Sequence, residues 1–504
     1  VTLSALHGLM NGFLTVLSGQ NLLLCFMGAL MGTLVGVLPG LGPVGAVSLL
    51  LPITFNLDAT SALILLAGIY YGSMYGGSTT SILVNVPGEA ASVITCIDGN
   101  QMAKKGRAGA ALSIAAIGSF VAGTVGVALI MCLAPLLAKV AIKFGPPEYF
   151  CIALLGLLLL TRLTGKDSLK SYIMMFFGIM LVTVGIDSTS GTARFTFGNA
   201  TLLQGFDFIP VIMGLYGIAE VLGSVEELFI KKDIMHFKFR ELWPSRNDLK
   251  RSAGPIARSS VLGFLFGLIP GPAATISTFV SYGLEKKLSK HPEEFGKGAI
   301  EGVAGPETAN NGASCGTLVP LLSLGVPFAP LPAVLLGAFM LHNIIPGPML
   351  IVEHPGVFWG LIASMYIGNI MLLILNLPLV GLFAQVARIK EMYLMPLVIV
   401  FCVLGAFSVR NSIFDLWVLA IFGILGYVFR KNGYDAAPLA LGMVVGSMLE
   451  DNFRQSATLF HGDLSRFFMQ PMTTVMLLIS MGIMIWPLLK MVINRWKMRG
   501  SAEA

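Results

Sequence analysis

The stretch Gly32–Pro52, "GTLVGVLPGLGPVGAVSLLLP", decides how the chain is read. Both flanks are apolar enough to be helix inside a bilayer, yet the centre holds Pro39, Gly40, Gly42 and Pro43. Proline removes a backbone donor, and glycine weakens a helix. Backbone opened in hydrocarbon survives only where protein or a watery cavity satisfies it. The same device recurs at Gly263–Ser277, "GFLFGLIPGPAATIS", around Pro270 and Gly271.

The surroundings are those of a polytopic membrane protein. The chain has 504 residues, 55% hydrophobic and 12% charged, with a mean hydropathy of +0.83. Soluble proteins carry about 25% charge. The net charge of +6 marks cytoplasmic loops rather than a nucleic-acid partner. The six cysteines form no C-x-x-C pair and read as small buried hydrophobes. No H-E-x-x-H and no G-x-x-x-x-G-K-[ST] occurs, so no zinc-protease helix and no Walker-type ATP site is written here. Neither a catalytic residue nor a metal ligand set is expected.

Apolar stretches, at about 20 residues per span, predict roughly ten to twelve transmembrane helices plus broken pieces in an all-α fold. Residues 1–20 place Leu3, Leu6, Met10, Phe13 and Leu17 at helical spacing without a basic n-region, which reads as an interfacial amphipathic helix. A first transmembrane half runs over 21–230, a basic cytoplasmic loop over 231–258, and a second half over 259–504. By the positive-inside rule 187–207 and 450–466 face outside. The loop 285–298, "EKKLSKHPEEFGKG", is also basic and reads as cytoplasmic, so the apolar run between it and 231–258 would enter and leave on one side. A helix broken at 270–272 and folded back satisfies that parity; a basic external loop is the competing explanation.

The broken segments pair. "GVLPG" at 36–40 matches "GLIPG" at 267–271, an offset of 231 residues. Behind each lies a second motif. "YGGSTTSILVNVPGEAAS" (75–92) and "NNGASCGTLVPLLSLGVPFAPLP" (310–332) both open on glycine and small hydroxyls and end in Val-Pro. Whether the halves are parallel or inverted is left open by the sequence. Paired breaks in two halves are the sequence sign of a transport site, with half-helix ends aimed at anions and free carbonyls at cations.

Chemistry gathers at the second motifs. Gly76, Gly77, Ser78, Thr79 and Thr80 are followed by Asn85, Pro87 and Gly88. The later half offers Glu307, Asn310, Asn311, Gly312, Ser314, Thr317 and Pro327. Amide N–H groups and hydroxyls suit a carboxylate, and oxygens suit sodium. The plainer reading is that these hydroxyls bond to their own helix and the small residues permit close packing. Glu89, Asp98, Glu301 and Glu307 flank the motifs, and an ionisable residue at membrane depth is a functional candidate. "GASCG" (312–316) also fits G-x-S-x-G, so an intramembrane serine protease using Ser314 with His342 or His354 is a competing reading.

"GTLVGVLPGLGPVGAVSLLLP", "YYGSMYGGSTTSILVNVPGE", "IDGNQMAKKGRAGAAL" and "EFGKGAIEGVAGPETANNGA" resemble the large membrane subunit (TctA-type) of the tripartite tricarboxylate transporters. The resemblance covers nearly the whole chain. It implies a non-enzymatic secondary transporter of the bacterial inner membrane that imports citrate-like carboxylates on a cation gradient, with sodium or a proton as coupling ion. It implies a small membrane subunit and a periplasmic solute-binding protein as partners. The family's signature positions fall on Pro39, Gly40, Gly42, Gly76, Gly77, Ser78, Thr79, Thr80, Asn85, Pro87 and Gly88, and on Pro270, Gly271, Glu307, Asn310 and Asn311. A carboxylate exporter or channel is the alternative within transport.

Overall fold

The computed structural model describes residues 2–38, 42–163, 167–187, 190–227, 242–386 and 391–500. Pro39 and Gly40 of the first break, and 231–241 of the basic loop, lie outside the described residues. The fold is all-α. In chain order the helices are α1 (Thr2–Val16), α2 (Gly19–Gly36), α3 (Gly42–Leu50), α4 (Ala59–Leu83), α5 (Val93–Lys104), α6 (Ala108–Ala141), α7 (Pro146–Leu163), α8 (Ser168–Val182), α9 (Phe208–Ile212) and α10 (Ala219–Glu227), the last two joined by a π-turn. The second series is α11 (Arg246–Gly267), α12 (Ala273–Leu288), α13 (Glu301–Leu324), α14 (Pro330–Leu341), α15 (Leu350–Glu353), α16 (Pro355–Asn376), α17 (Val380–Val386), α18 (Glu391–Arg410), α19 (Ile413–Lys431), α20 (Ala437–Leu459) and α21 (Pro471–Gly500). Among the described residues six apolar segments are long enough to cross a membrane, α2, α6 and α16 among them. The chain is a multi-pass membrane protein.

Two glycine seams organise the centre. Gly28, Gly32 and Gly36 of α2 lie against the backbone of Leu65, Ile69 and Ser73 of α4, and Gly68, Gly72 and Gly76 answer from α4. Gly263 and Gly267 of α11 meet Ala309 and Ala313 of α13, answered by Gly312 and Gly316. Without a Cβ on either side the two backbones reach contact, which is how helices associate where lipid offers no hydrophobic drive. In both seams the two helices run in the same direction.

The third helix of each cluster comes from the other half. α16 lies along α4, with Gly360 at Thr60 and the Tyr75 hydroxyl donating to Asn369 Oδ1 (2.8 Å). α6 lies along α13, with Gly118 at Thr308 and Gly126 at Cys315. Exchanging α2, α4 and α6 for α11, α13 and α16 therefore leaves the neighbour relations unchanged. The two clusters run in opposite senses. The Tyr70 hydroxyl donates to Ser314 O (3.2 Å), whereas eight residues further along α4 Ser78 bonds to Glu307, earlier in α13. This is the geometry of an inverted repeat with swapped third helices. It recurs outside the centre, where Gly178 of α8 packs on Leu439 of α20 and Gly214 packs on Leu419 of α19.

The second break turns the chain back. Ser259 Oγ meets Ser281 Oγ at 2.8 Å and Arg258 Nη2 meets Glu285 Oε2 at 2.5 Å, so α11 and α12 form an antiparallel hairpin around Pro270–Pro272. Of the basic stretch, Arg246–Arg258 is the first part of α11, capped by Ser245, whose Oγ accepts from Asp248 N (3.1 Å). α1 seats Gly8 and Gly12 on Trp359 of α16 and leaves Leu6, Met10 and Leu14 exposed.

Candidate functional site

The polar turns of α4 and α13 face one another where the clusters cross. Most of their hydroxyls serve their own helices. Thr80 and Ser81 bond to Gly77 O (3.1 and 2.9 Å), Ser314 to Asn310 O (2.9 Å) and Thr317 to Ser314 O (2.9 Å). Ser78 is different. Its hydroxyl donates across the interface to Glu307 Oε2, and Thr95 of α5 donates to Glu307 Oε1. Glu307 is 1% exposed, and among the described residues no basic side chain bonds to it. A charged carboxylate in such surroundings needs a cation or a proton to offset its desolvation.

Beside it, Asn310 Nδ2 donates to Glu89 Oε1 (2.8 Å), and Asn311 Nδ2 donates to Ser119 Oγ of α6 (2.7 Å). Both amide oxygens are left buried without a partner. Glu89, Ser78, Thr95 and Ser119 come from the first half, while Glu307, Asn310 and Asn311 come from the second. The cluster exists only because the halves interlock.

Gly42 opens α3 with φ +58°, and Gly271 has φ +142°, conformations that favour glycine. Gly271 N–H donates to Phe328 O (3.0 Å), tying the second break to the Val326-Pro327 turn. Gly88 comes so near Gly77 that a Cβ would stand 2.5 Å from Gly77 Cα, which ties the corresponding turn to α4. Asn85 there also has a positive φ of +59°. Thr79, Gly312 and Pro327 are buried, and Pro87 is half-buried. Thus the structure gathers the sequence-read positions of both second motifs, Gly76 to Gly88 and Glu307 to Thr317, around one crossing.

Two of the flanking acids lie elsewhere. Asp98 accepts from Gly298 N (2.7 Å), Ala299 N (2.9 Å) and the Tyr282 hydroxyl (2.9 Å), clamping α5 onto the turn before α13. Glu301 is held by Arg251 at 2.8 Å, which also reaches Glu294 at 2.6 Å. That guanidinium holds the Glu294 carboxyl below the usual carboxylate range. Thr95, Ser119, Asn369 and Asn376 are site neighbours that motif reading missed. None of the four falls in the paired motifs, and for Asn369 and Asn376 the signal available was an amide inside an apolar run, as in "IGNIM" and "ILNLP".

The protease arrangement is not built. Among the described residues no histidine is a hydrogen-bond partner of Ser314, whose hydroxyl is spent on its own helix. Comparison with known proteins then decides the family. The model of the tripartite tricarboxylate transporter TctA family matches residues 22–441. The chain belongs to that family. This TctA-family chain is 46% identical to an uncharacterized 52.8 kDa protein in the TAR-I ttuC' 3' region of Agrobacterium vitis, over 95% of each chain. A second A. vitis protein, uncharacterized and in the TAR-II ttuC' 3' region, is 45% identical over 45% of this chain and 94% of its own. No solved structure matches. The TctA family is a transporter family, and its chains are one component of a tripartite system.

Proposed function

We propose that this subunit imports tricarboxylates or related organic carboxylates across the bacterial inner membrane, driven by a cation gradient, with substrate handed over by a periplasmic binding protein beside a small membrane subunit. The observation that carries the reading is the pair of polar turns on the oppositely directed α4 and α13, interlocked around Glu307. Two opposed half-sites that share one buried carboxylate suit alternating exposure to either side of the membrane. In this reading the α11–α12 hairpin is re-entrant, and the amide groups at the breaks, with the neighbouring hydroxyls, hold the substrate carboxylates. Neutral dipoles in place of lysine or arginine permit release as well as capture. The test is uptake of labelled citrate and other carboxylates into proteoliposomes holding the purified complex, with and without a sodium or proton gradient and the binding protein. Accumulation that requires the gradient and the binding protein is expected. Absence of uptake for every carboxylate tried contradicts the reading.

Docking would use the two segments read as external. They are joined to each other: Arg194 Nη1 meets Glu450 Oε1 at 2.6 Å, and Arg454 bridges Asp187 (3.0 Å) and Glu450 (2.6 Å). Arg454 is therefore part of the surface's own framework, and Asp451 beside it is the cleaner probe. Asp451→Lys should lower binding-protein-dependent uptake several-fold without changing the yield of folded protein. Unchanged uptake would place the docking surface elsewhere.

A further inference from the structure

Next to Ser78 lies a small polar chamber of about 10 Å³, lined by Tyr75, Ser78 and Thr79 of α4, Ser119 of α6 and Asn376 at the end of α16, with alanine and leucine completing the wall. That is room for one water-sized particle. Three of the side chains around it, Ser78, Tyr75 and Asn376, have placed their protons elsewhere. Ser78 donates to Glu307, and the Tyr75 hydroxyl donates to Asn369 Oδ1 (2.8 Å). Asn376 Nδ2 donates to Leu372 O (3.0 Å) and Thr33 Oγ1 (3.3 Å). This leaves Asn376 Oδ1, on a residue 4% exposed, buried without a partner at the chamber.

We infer that this chamber binds one dehydrated monovalent cation, with Ser78, Thr79, Ser119 and Asn376 as oxygen ligands and Glu307 as the counter-charge one hydrogen bond behind Ser78. A cation takes lone pairs alone, which is what Ser78 and Asn376 have left, and the Thr79 and Ser119 hydroxyls can turn lone pairs to it. Neutral oxygens backed by a single carboxylate match a single positive charge, while magnesium and calcium are usually held by one or more carboxylates directly. The ligands come from α4, α6 and α16, so the ion would report on whether the two swapped clusters are engaged. That coupling role rests on the transport reading above; binding of the ion does not.

The experiment is thermal unfolding of the purified wild-type subunit in sodium, potassium or choline chloride at equal concentration, without any carboxylate. Sodium or potassium should raise the midpoint above choline in a saturable way, as a ligand of the native state does. Asn376→Ala and Ser119→Ala should raise the half-saturating concentration about tenfold or more, the scale seen for lost support of a metal site. Asn376→Asp keeps an oxygen at the position and should retain the response, which separates ligand loss from packing loss. Equal midpoints in all three salts for wild type would mean that only water sits in the chamber and would overturn the inference. A wild-type half-saturation in Asn376→Ala would overturn it too. Carboxylate uptake that is equally fast in choline rejects the coupling role and leaves transport standing. A salt response without any carboxylate uptake upholds the ion site and rejects transport.

Discussion

Glu307→Gln should reduce the initial rate of carboxylate uptake by about 100-fold or more, a loss of about 2.7 kcal/mol, in protein that still runs as a folded species in detergent. The substitution keeps the size of the side chain. It removes the charge and turns an acceptor of the Ser78 or Thr95 hydroxyl into a donor. Those hydroxyls can rotate, so the packing is spared. A coupling ion or proton has lost its partner. Were Glu307 only a polar bridge between the clusters, the glutamine would bridge nearly as well and uptake would persist. The measurement is uptake normalised to folded protein reconstituted, with Ser78→Ala beside it. That variant should fall by a smaller factor, because it removes one donor and no charge.

The second large effect is on folding. Gly72→Leu and Gly316→Leu should leave almost no folded protein. A Cβ at Gly72 would stand 2.6 Å from Ala29 O and 2.8 Å from Thr33 N, and one at Gly316 would stand 2.3 Å from Phe264 O. These are backbone atoms of partner helices and cannot yield without parting the seams. Overpacking costs about 1–3 kcal/mol even where side chains can move, and native states are stable by only about 5–15 kcal/mol. Gly283→Leu in α12, where nothing lies within reach of a Cβ, is the control and should express normally. Size-exclusion profiles of the tagged variants in detergent decide the matter. A monodisperse Gly316→Leu would show that the α11–α13 seam is looser than described.

Much of this was legible in the chain. Composition gave the all-α membrane class, and proline with glycine marked both breaks, because few residues interrupt an apolar helix so expensively. The Val-Pro endings at Val86-Pro87 and Val326-Pro327 correspond in the same register as Gly72 and Gly76 with Gly312 and Gly316, so the second motifs align through their seam glycines. Direction was not legible. Helical periodicity is the same read either way, so nothing near Tyr70 or Ser314 could show that α4 and α13 run in opposite senses. Nor was the exchange of α6 and α16 between halves, which depends on long-range contacts such as Asn369 with Tyr75 and Phe120. Asp98 and Glu301 looked like site acids because only proximity in sequence was visible. In three dimensions their bonds to backbone N–H groups and to Arg251 make them clamps.

The central claim is that the two breaks, one from each half, serve a single carboxylate site. Substrate protection of engineered thiols tests it most directly. In a background with the native cysteines replaced, Val86→Cys and Phe328→Cys place one half-buried thiol in each Val-Pro turn. Each would be labelled with a maleimide in proteoliposomes with and without a saturating transported carboxylate. The account predicts that the carboxylate slows labelling at both positions, and that Glu307→Gln abolishes the protection at both. Protection at one position only, or at neither while uptake continues, would contradict a shared site.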